Sequence, residues 1–541
     1  MGEVAAGGAS EIDRRDLGSA SAPEPAAALG ARHFASAAAI VMAGTVLSRV
    51  LGLVRQEVIA VQFGTTGQMD AFWTAFRLPD TIYALVAGGV LGSSLIPVFA
   101  SYLARGERDE AARVASSVMN MMLILLGAMA LIVEIFAPAI VPLLVSSYSP
   151  QKQELVVLLT RVLLIQPIFL GVSGVMMGVL NSYQHFLLPT LAPIVYNLSI
   201  IGGALLLGPS MGVQGLAVGV VAGACLQIVA QIPGMVRYRF RYVPRVDARD
   251  PGVREVWRLM IPRVFASATL YVNVLVSAAL ASRLVDGAYT GFSNALQLMT
   301  LPLGIFATAI SIVAFPTLSA QVARDELGLM SRTLGQALRI ILFLTIPSSL
   351  GLILLREPII RTLFQYGAFD ARSTELTAQP LIFFALGLFG HATVEIVLRA
   401  FYALHETLRP VLINLVTLSL NLALSFVLIG WLAQGGLALA ISISVVAEAL
   451  ALVLLLQAYL PSFDWASLAA TVGKCALASA AMGAALYAFV HASNGWLNLE
   501  AVGPRALQLA GGLAIGGLVY LGSAAVLRVS ELSLVRRLVP R

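Results

Sequence analysis

The polar positions of this chain are gathered into short breaks between long apolar blocks. Reading blocks against breaks predicts fourteen membrane-spanning helices at about 34–63, 70–104, 112–147, 153–183, 186–208, 212–236, 256–284, 288–322, 333–355, 375–404, 408–430, 435–460, 465–491 and 505–528. A bilayer core about 30 Å thick needs roughly 20 apolar residues of helix, and the blocks reach that length repeatedly. No ten-residue alternating pattern occurs, so helices are predicted and not a β-barrel. Residues 1–33 are rich in Ala, Gly, Pro and acids, with Arg14 and Arg15 among them. Lacking a long apolar run, they are expected to form a disordered cytoplasmic tail and not a signal peptide.

Composition agrees with an integral membrane protein: 59% of the 541 residues are hydrophobic and 11% charged, against roughly a quarter charged in an ordinary soluble domain. Cys225 and Cys475 stand alone in apolar runs, which excludes a disulfide framework and a thiolate metal site. A net charge of +6 raises the question of nucleic acid, but the basic residues are almost all arginine and are scattered over many connections. In a polytopic protein that pattern encodes topology. The sixth connection carries Arg237, Arg239, Arg241, Arg245, Arg249, Arg254 and Arg258, and the second carries Arg105, Arg108 and Arg113. Both are expected to be cytoplasmic. The fifth and eleventh carry none, whereas the ninth carries Arg356, Arg361 and Arg372 against the trend. An even number of spans then places both termini in the cytoplasm.

The chain also repeats itself. Pro97, Arg105 and Arg113 recur as Pro316, Arg324 and Arg332 at an offset of 219 residues, and Pro189 with Gly215-Leu216-Ala217 recurs as Pro410 with Gly436-Leu437-Ala438 at an offset of 221. The repeat contains six spans, an even number, so the halves share one orientation and relate by an axis along the membrane normal. Transporters built this way place a cavity between the halves and open it alternately to each side. The last two spans have no partner and read as an addition.

Motifs for soluble-enzyme chemistry are missing. Gly473-Lys474-Cys475 lacks the first glycine and the hydroxyl of a phosphate-binding loop. His33, His185, His391, His405 and His491 are dispersed, with neither HExxH nor GxSxG. No catalytic residue, metal or cofactor is therefore expected. The informative residues are the ionisable ones inside spans: Arg49, Arg55, Arg77, Asp80, Glu134, Arg161, Arg263, Glu395 and Glu448. A mid-helix arginine costs at least about 2.5 kcal/mol on insertion scales and should face water or a partner. The bland alternative is an intramembrane ion pair, or snorkelling near a helix end. Arg49 lies roughly 22 Å along a helix starting at Phe34, too deep to snorkel. Arg55 is six residues on, about 240° around an ideal helix, so the two point apart unless Gly52 admits a bend. Guanidinium forms bidentate bonds to phosphate, so an arginine-lined cavity suits an anionic ligand. Asn414, Thr417 and Asn421 are candidates for a coupling cation, the alternative being helix-to-helix hydrogen bonds.

Ser48-Arg49-Val50-Leu51-Gly52 with Arg55, Asp70-Ala71-Phe72, Phe76-Arg77-Leu78-Pro79 and Gly92-Ser93-Ser94-Leu95-Ile96-Pro97-Val98-Phe99 resemble the opening helices of the MurJ/MviN family. Phe364-Gln365-Tyr366-Gly367-Ala368-Phe369 and Ala400-Phe401-Tyr402-Ala403 are similar to its second-half signatures. The resemblance covers nearly everything from Phe34 to Arg541. It implies a bacterial plasma-membrane flippase for lipid II, the undecaprenyl-pyrophosphate-linked peptidoglycan precursor, within the multidrug/oligosaccharidyl-lipid/polysaccharide exporter fold. The architecture implied is a six-helix lobe over 34–237, a cytoplasmic linker over 238–255, a second lobe over 256–460, and a helix pair with a lipid-tail groove over 461–541. Arg49 and Arg55 match the family's cavity arginines, Asp70 its loop acid and Arg77 the basic residue before Leu-Pro. The chain departs from the family at Tyr83, Gly88 and Gln297, where an arginine, an acid and a cavity arginine are usual. Arg263 is a candidate replacement charge.

The alternatives are an exporter of another polyprenyl-linked oligosaccharide and a cation-coupled drug exporter, which would want cavity acids more than arginines. A membrane enzyme on polyprenyl-linked sugars would need a sizeable external loop with carboxylates, and no connection here exceeds about 25 residues. A lipid-binding scaffold would not need the repeat.

Overall fold

The computed structural model describes residues 26–86, 90–460 and 463–532, with the backbone alone for 26–39, 90–93, 262–270 and 272. Among the described residues every regular element is helical. The first half holds α1 (Ala26–Phe63), α2 (Gly67–Val86), α3 (Val90–Ala104), α4 (Arg108–Leu144), α5 (Pro150–Leu163), α6 (Ile165–Ser182), α7 (Leu187–Gly202), α8 (Gly208–Met211) and α9 (Val213–Arg237). The second holds α10 (Pro251–Ala281), α11 (Ala288–Pro302), α12 (Ala309–Ala323), α13 (Leu327–Leu363), α14 (Ala371–Ala403) and α15 (Leu408–Leu456), followed by the pair α16 (Trp465–Trp496) and α17 (Val502–Val526).

The predicted spans fall on helices as far as the described residues reach, residues 87–89 of the second span lying outside them, and among the described residues ten helical stretches are long and apolar enough to cross a membrane. That set is drawn from the described residues and does not include α1, α2 with α3, or α10, where the side chains at 26–39, 90–93, 262–270 and 272 lie outside them. These are the helices that carry Arg49, Arg55, Arg77 and Arg263. The helix α1 starts at Ala26, earlier than predicted, on an alanine run of high helix propensity. Residues 251–255, assigned from sequence to the linker, are already helical: Pro251 takes the first position of α10, and Asp250 Oδ1 accepts from the N–H groups of Gly252 at 2.8 Å and Val253 at 3.2 Å.

The repeat is visible in the backbone. After α3, Gly106 has φ 80° and Glu107 N donates to Tyr102 O; after α12, Asp325 has φ 58° and Glu326 N donates to Gln321 O. His185 N to Leu180 O is matched by Glu406 N to Phe401 O, with Gln184 and His405 both at positive φ. A Cβ on Gly215 would strike the Leu207 backbone, and one on Gly436 the Leu428 backbone. Gly212, at φ 59° and ψ −140°, breaks the chain before α9; its counterpart Ala433, at φ 48° and ψ −130°, bends α15 between the predicted eleventh and twelfth spans.

Lipid tails are as apolar as leucine, so close packing and polar pairs hold such helices together. Between α7 and α9, a Cβ on Gly203 would lie 2.6 Å from the Gly219 Cα, and Ser199 Oγ donates to Gly219 O at 2.9 Å. One core joins Phe99, Val118, Met122 and Val179 in the first half, and another joins Phe292, Phe364, Leu381 and Phe384 in the second. The helix α10 crosses between them: Val253, Val256 and Met260 pack in the former, Ala278, Leu280 and Ala281 in the latter. The pair α16–α17 leans on α13 through Phe343, Leu355, Leu486 and Tyr520, whose hydroxyl donates to Phe343 O at 2.6 Å.

Candidate functional site: the seam between the halves

The halves are locked together at one end. Asp70, 2% exposed in the first turn of α2, accepts from Gly287 N at 2.7 Å, Thr290 N at 2.9 Å and Thr290 Oγ1 at 2.7 Å. A first-half carboxylate thus caps α11 of the second half, where the helix presents unpaired N–H groups and the positive end of its dipole. Lys152 Nζ bridges Asp70 at 3.4 Å and Asp286 at 2.7 Å, with the Tyr148 ring 3.8 Å below it. Thr65 Oγ1 bonds Ser373 Oγ at 2.8 Å, Ala368 N donates to Val61 O at 2.8 Å, and Arg372 Nη2 donates to Asp286 O at 3.0 Å. Gly64 and Gly287, both at positive φ, make the approach possible, because a Cβ on either would strike backbone of the other half.

Beyond this latch two further polar contacts join the halves along α1, α2 and α11. Arg77 Nε donates to the hydroxyl of buried Tyr289 at 2.9 Å, with Asp80 one turn on. Gln56 Nε2 donates to Asn294 Oδ1 at 2.6 Å, and both side chains are buried. Arg49 lies fifteen residues before Gly64, about 22 Å from the latch at 1.5 Å per residue. It is exposed and, among the described residues, joins no hydrogen bond or ion pair. A Cβ on Gly304 would meet its guanidinium. Gly304 lies in a π-helical segment, Leu303–Thr308, between α11 and α12, and such segments favour functional sites.

Arg49 and Arg55 point apart, as their spacing on an unbroken helix requires. Arg49 faces the second half; Arg55 Nη1 donates to Asn197 Oδ1 on α7 at 3.0 Å, while its buried Nε has no partner. Tyr196, beside Asn197, accepts from Gln166 Nε2 at 3.1 Å. The seam therefore holds two of the guanidinium groups, Arg49 unengaged and Arg77 bonded to Tyr289, while Arg55 turns away from it into the first half and bonds Asn197. Arg263 lies on α10, but its side chain is outside the described residues, as is Gly88. Other intramembrane charges take the bland reading: Arg161 pairs with Glu134 at 3.3 Å, Arg399 with Glu395 at 3.2 Å, and Asn414 Nδ2 donates to Glu448 at 3.0 Å. The partners missed from sequence are Lys152, Asn197, Tyr289, Thr290, Asn294 and Gly304. Only tertiary folding assembles them, and none forms a local motif.

Two related helical halves, locked together at one end and followed by a further helix pair, define a multi-pass, all-helical membrane protein. The family model described as "Lipid II flippase MurJ" matches residues 59–502, and the chain belongs to that family. The lipid II flippase MurJ of Burkholderia cenocepacia is 30% identical over 434 residues, covering 78% of this chain and 84% of that protein. A probable lipid II flippase MurJ of Rhizobium meliloti is 28% identical, covering 93% and 96%. Among solved structures, a lipid II flippase MurJ in an inward closed conformation superimposes with a TM-score of 0.76 at 24% identity, covering 90% of this chain and 98% of that one. An inward-facing multidrug resistance MATE family transporter of the MOP superfamily superimposes with a TM-score of 0.65 at 16% identity, covering 77% of this chain and 95% of that one.

Proposed function

We propose that the chain carries lipid II from the cytoplasmic to the outer leaflet of the bacterial plasma membrane by alternating access, for cell-wall synthesis. The observation that carries this reading is Arg49: a guanidinium deep in a helix, without a hydrogen-bond or ion-pair partner among the described residues, packed against the opposite half at Gly304, in a chain of this family. Arg49 receives the pyrophosphate, and Arg55 and Arg77 assist by exchanging their bonds to Asn197 and Tyr289 for bonds to phosphate oxygen. Arg263 adds charge from α10. Asp70 acts at the gate, since its oxygens are taken by Gly287, Thr290 and Lys152 and have no room for substrate.

Both termini lie in the cytoplasm, which puts the latch at the extracytoplasmic end. The polyprenyl tail stays in lipid beside α16 and α17 while the head crosses between the halves. Asn421, buried with both amide atoms unpartnered, is the residue left for a coupling cation, because Asn414 is taken by Glu448. No catalytic step is assigned. Complementation tests the reading: the gene restores growth to a strain depleted of its own lipid II flippase, and failure at normal membrane abundance overturns it.

A further inference from the structure

The arginines of the ninth connection break the charge rule that places the other loops, and the seam does not use Arg356 or Arg361. Both line a polar groove outside the seam. The groove opens into a cavity of about 370 Å³ where α13 ends, α14 begins and the α16–α17 loop passes over, bounded by Arg361, Gln365, Asn494, Asn498, Glu500 and Arg505. Small-molecule sites run from about 300 to 1,000 Å³.

The hydrogen bonds in its wall have one sense. Asn494 Oδ1 already accepts from Gln508 at 2.8 Å, Asn498 Oδ1 from Glu500 N at 3.1 Å, and Gln365 Oε1 from Thr374 at 3.2 Å. Each amide oxygen thus already holds one donor, and the amide nitrogens of all three residues are left unspent. Arg505 Nη1 donates to Gln365 O at 2.9 Å and its Nε to Leu499 O, which ties the two loops together and leaves Nη2 free. Arg361 spends Nη2 on Glu357 at 2.9 Å and keeps Nε and Nη1. Five side chains therefore present unused N–H groups, two of them cationic; the acids are Glu500 in the cavity and Glu357 and Glu375 in the adjoining groove, of which Glu357 pairs with Arg361. That inventory fits an acceptor-rich anion.

Height in the membrane decides its source. Trp496 ends α16 at 66% exposure and Trp431 precedes the α15 bend at 85%, and exposed tryptophans mark the headgroup level. The first turn of α14 serves both places, with Ala371 and Thr374 in the cavity and Arg372 and Ser373 in the latch.

We propose that this cavity binds the phosphate or diphosphate headgroup of a lipid on the exit side, beside the gate. The sidedness rests on the flippase reading. The test uses the full-length protein in phosphatidylcholine nanodiscs with a photoreactive undecaprenyl pyrophosphate, and crosslinks are mapped by peptide. The parent is labelled within 357–374 and 494–508. Arg361→Gln lowers apparent affinity by roughly ten- to 150-fold, the loss expected for a charged phosphate contact. Gln365→Leu, which keeps the backbone oxygen bound by Arg505, also weakens labelling. Competition by unlabelled undecaprenyl pyrophosphate or phosphatidylglycerol, but not by inorganic pyrophosphate, supports a lipid source, and the stronger lipid names it. Equal competition by inorganic pyrophosphate, labelling elsewhere, or unchanged affinity in both variants overturns the site. A protein that flips lipid II without crosslinking here overturns the cavity alone; one that crosslinks here without flipping overturns the flippase reading alone.

Discussion

Removing the Asp70 carboxylate should open the latched end of the molecule. Asp70→Asn keeps the size of the side chain but loses its charge toward Lys152, and its amide turns donor toward one of the three groups that Asp70 now accepts from. Loss of one charge-assisted bond costs roughly 1.5–3 kcal/mol, which shifts the closed-to-open ratio by about ten- to 150-fold. Asp70→Ala goes further: it leaves Lys152 short of a partner and two N–H groups of α11 uncapped, roughly 3–5 kcal/mol for a broken buried pair. Spin labels at the exposed positions Ser147 and Glu375, in a Cys225→Ser and Cys475→Ala background, report the distance across the closed end. Double electron–electron resonance should show a longer-distance population that is minor in the parent, larger in Asp70→Asn and largest in Asp70→Ala. A parent-like distribution in a folded Asp70→Ala protein would refute the gating argument.

Gly304→Ala places a methyl group where the Arg49 guanidinium now sits, and should slow lipid II flipping at unchanged membrane abundance. Arg49→Lys should rescue flipping poorly compared with the parent, because ammonium keeps the charge without the bidentate fork; rates in proteoliposomes decide this. Ala433→Gly should raise the melting temperature by relieving a positive φ that costs about 1–2 kcal/mol in an L-residue, and a lower melting temperature would count against the strain. Asp370 caps α14, and the Ser373 N–H at 2.8 Å leads the causes that hold its carboxyl below the usual range. Its contribution is present above the unfolded pKa of about 3.9 and is lost as pH falls through the lower folded value. Thermal stability of Asp370→Asn should therefore fall less than the parent's on acidification below about pH 4.

Hydropathy was enough to place the helices, because each must satisfy its own backbone in lipid and so needs a continuous apolar block. The repeat was legible at its punctuation: Arg105 and Gly215 mark a turn and a close approach that fold the same way in both halves, and Pro97 lies inside a helix in both. Spacing alone predicted that Arg49 and Arg55 diverge. The partner of Asp70 was not legible, since Gly287 and Thr290 are more than 200 residues away and a backbone N–H carries no sequence signal. Nor was Gly304, whose role depends on a π turn that brings it against a side chain of the other half. The Arg161–Glu134 pair shows why an intramembrane arginine is insufficient evidence of a site: its charge is answered by a neighbouring helix, and that of Arg49 is not.

The proposed transport rests on Arg49, with Arg55 and Arg77, holding the pyrophosphate of lipid II as it crosses the membrane. Transfer of labelled lipid II in proteoliposomes, compared for the parent, Arg49→Ala and Arg161→Ala at matched protein levels, tests it most directly. Transfer is expected in the parent, with a loss of roughly tenfold or more in Arg49→Ala and near-parent transfer in Arg161→Ala. Parent-like transfer in Arg49→Ala together with failure of Arg161→Ala would contradict it, and would place the phosphate elsewhere.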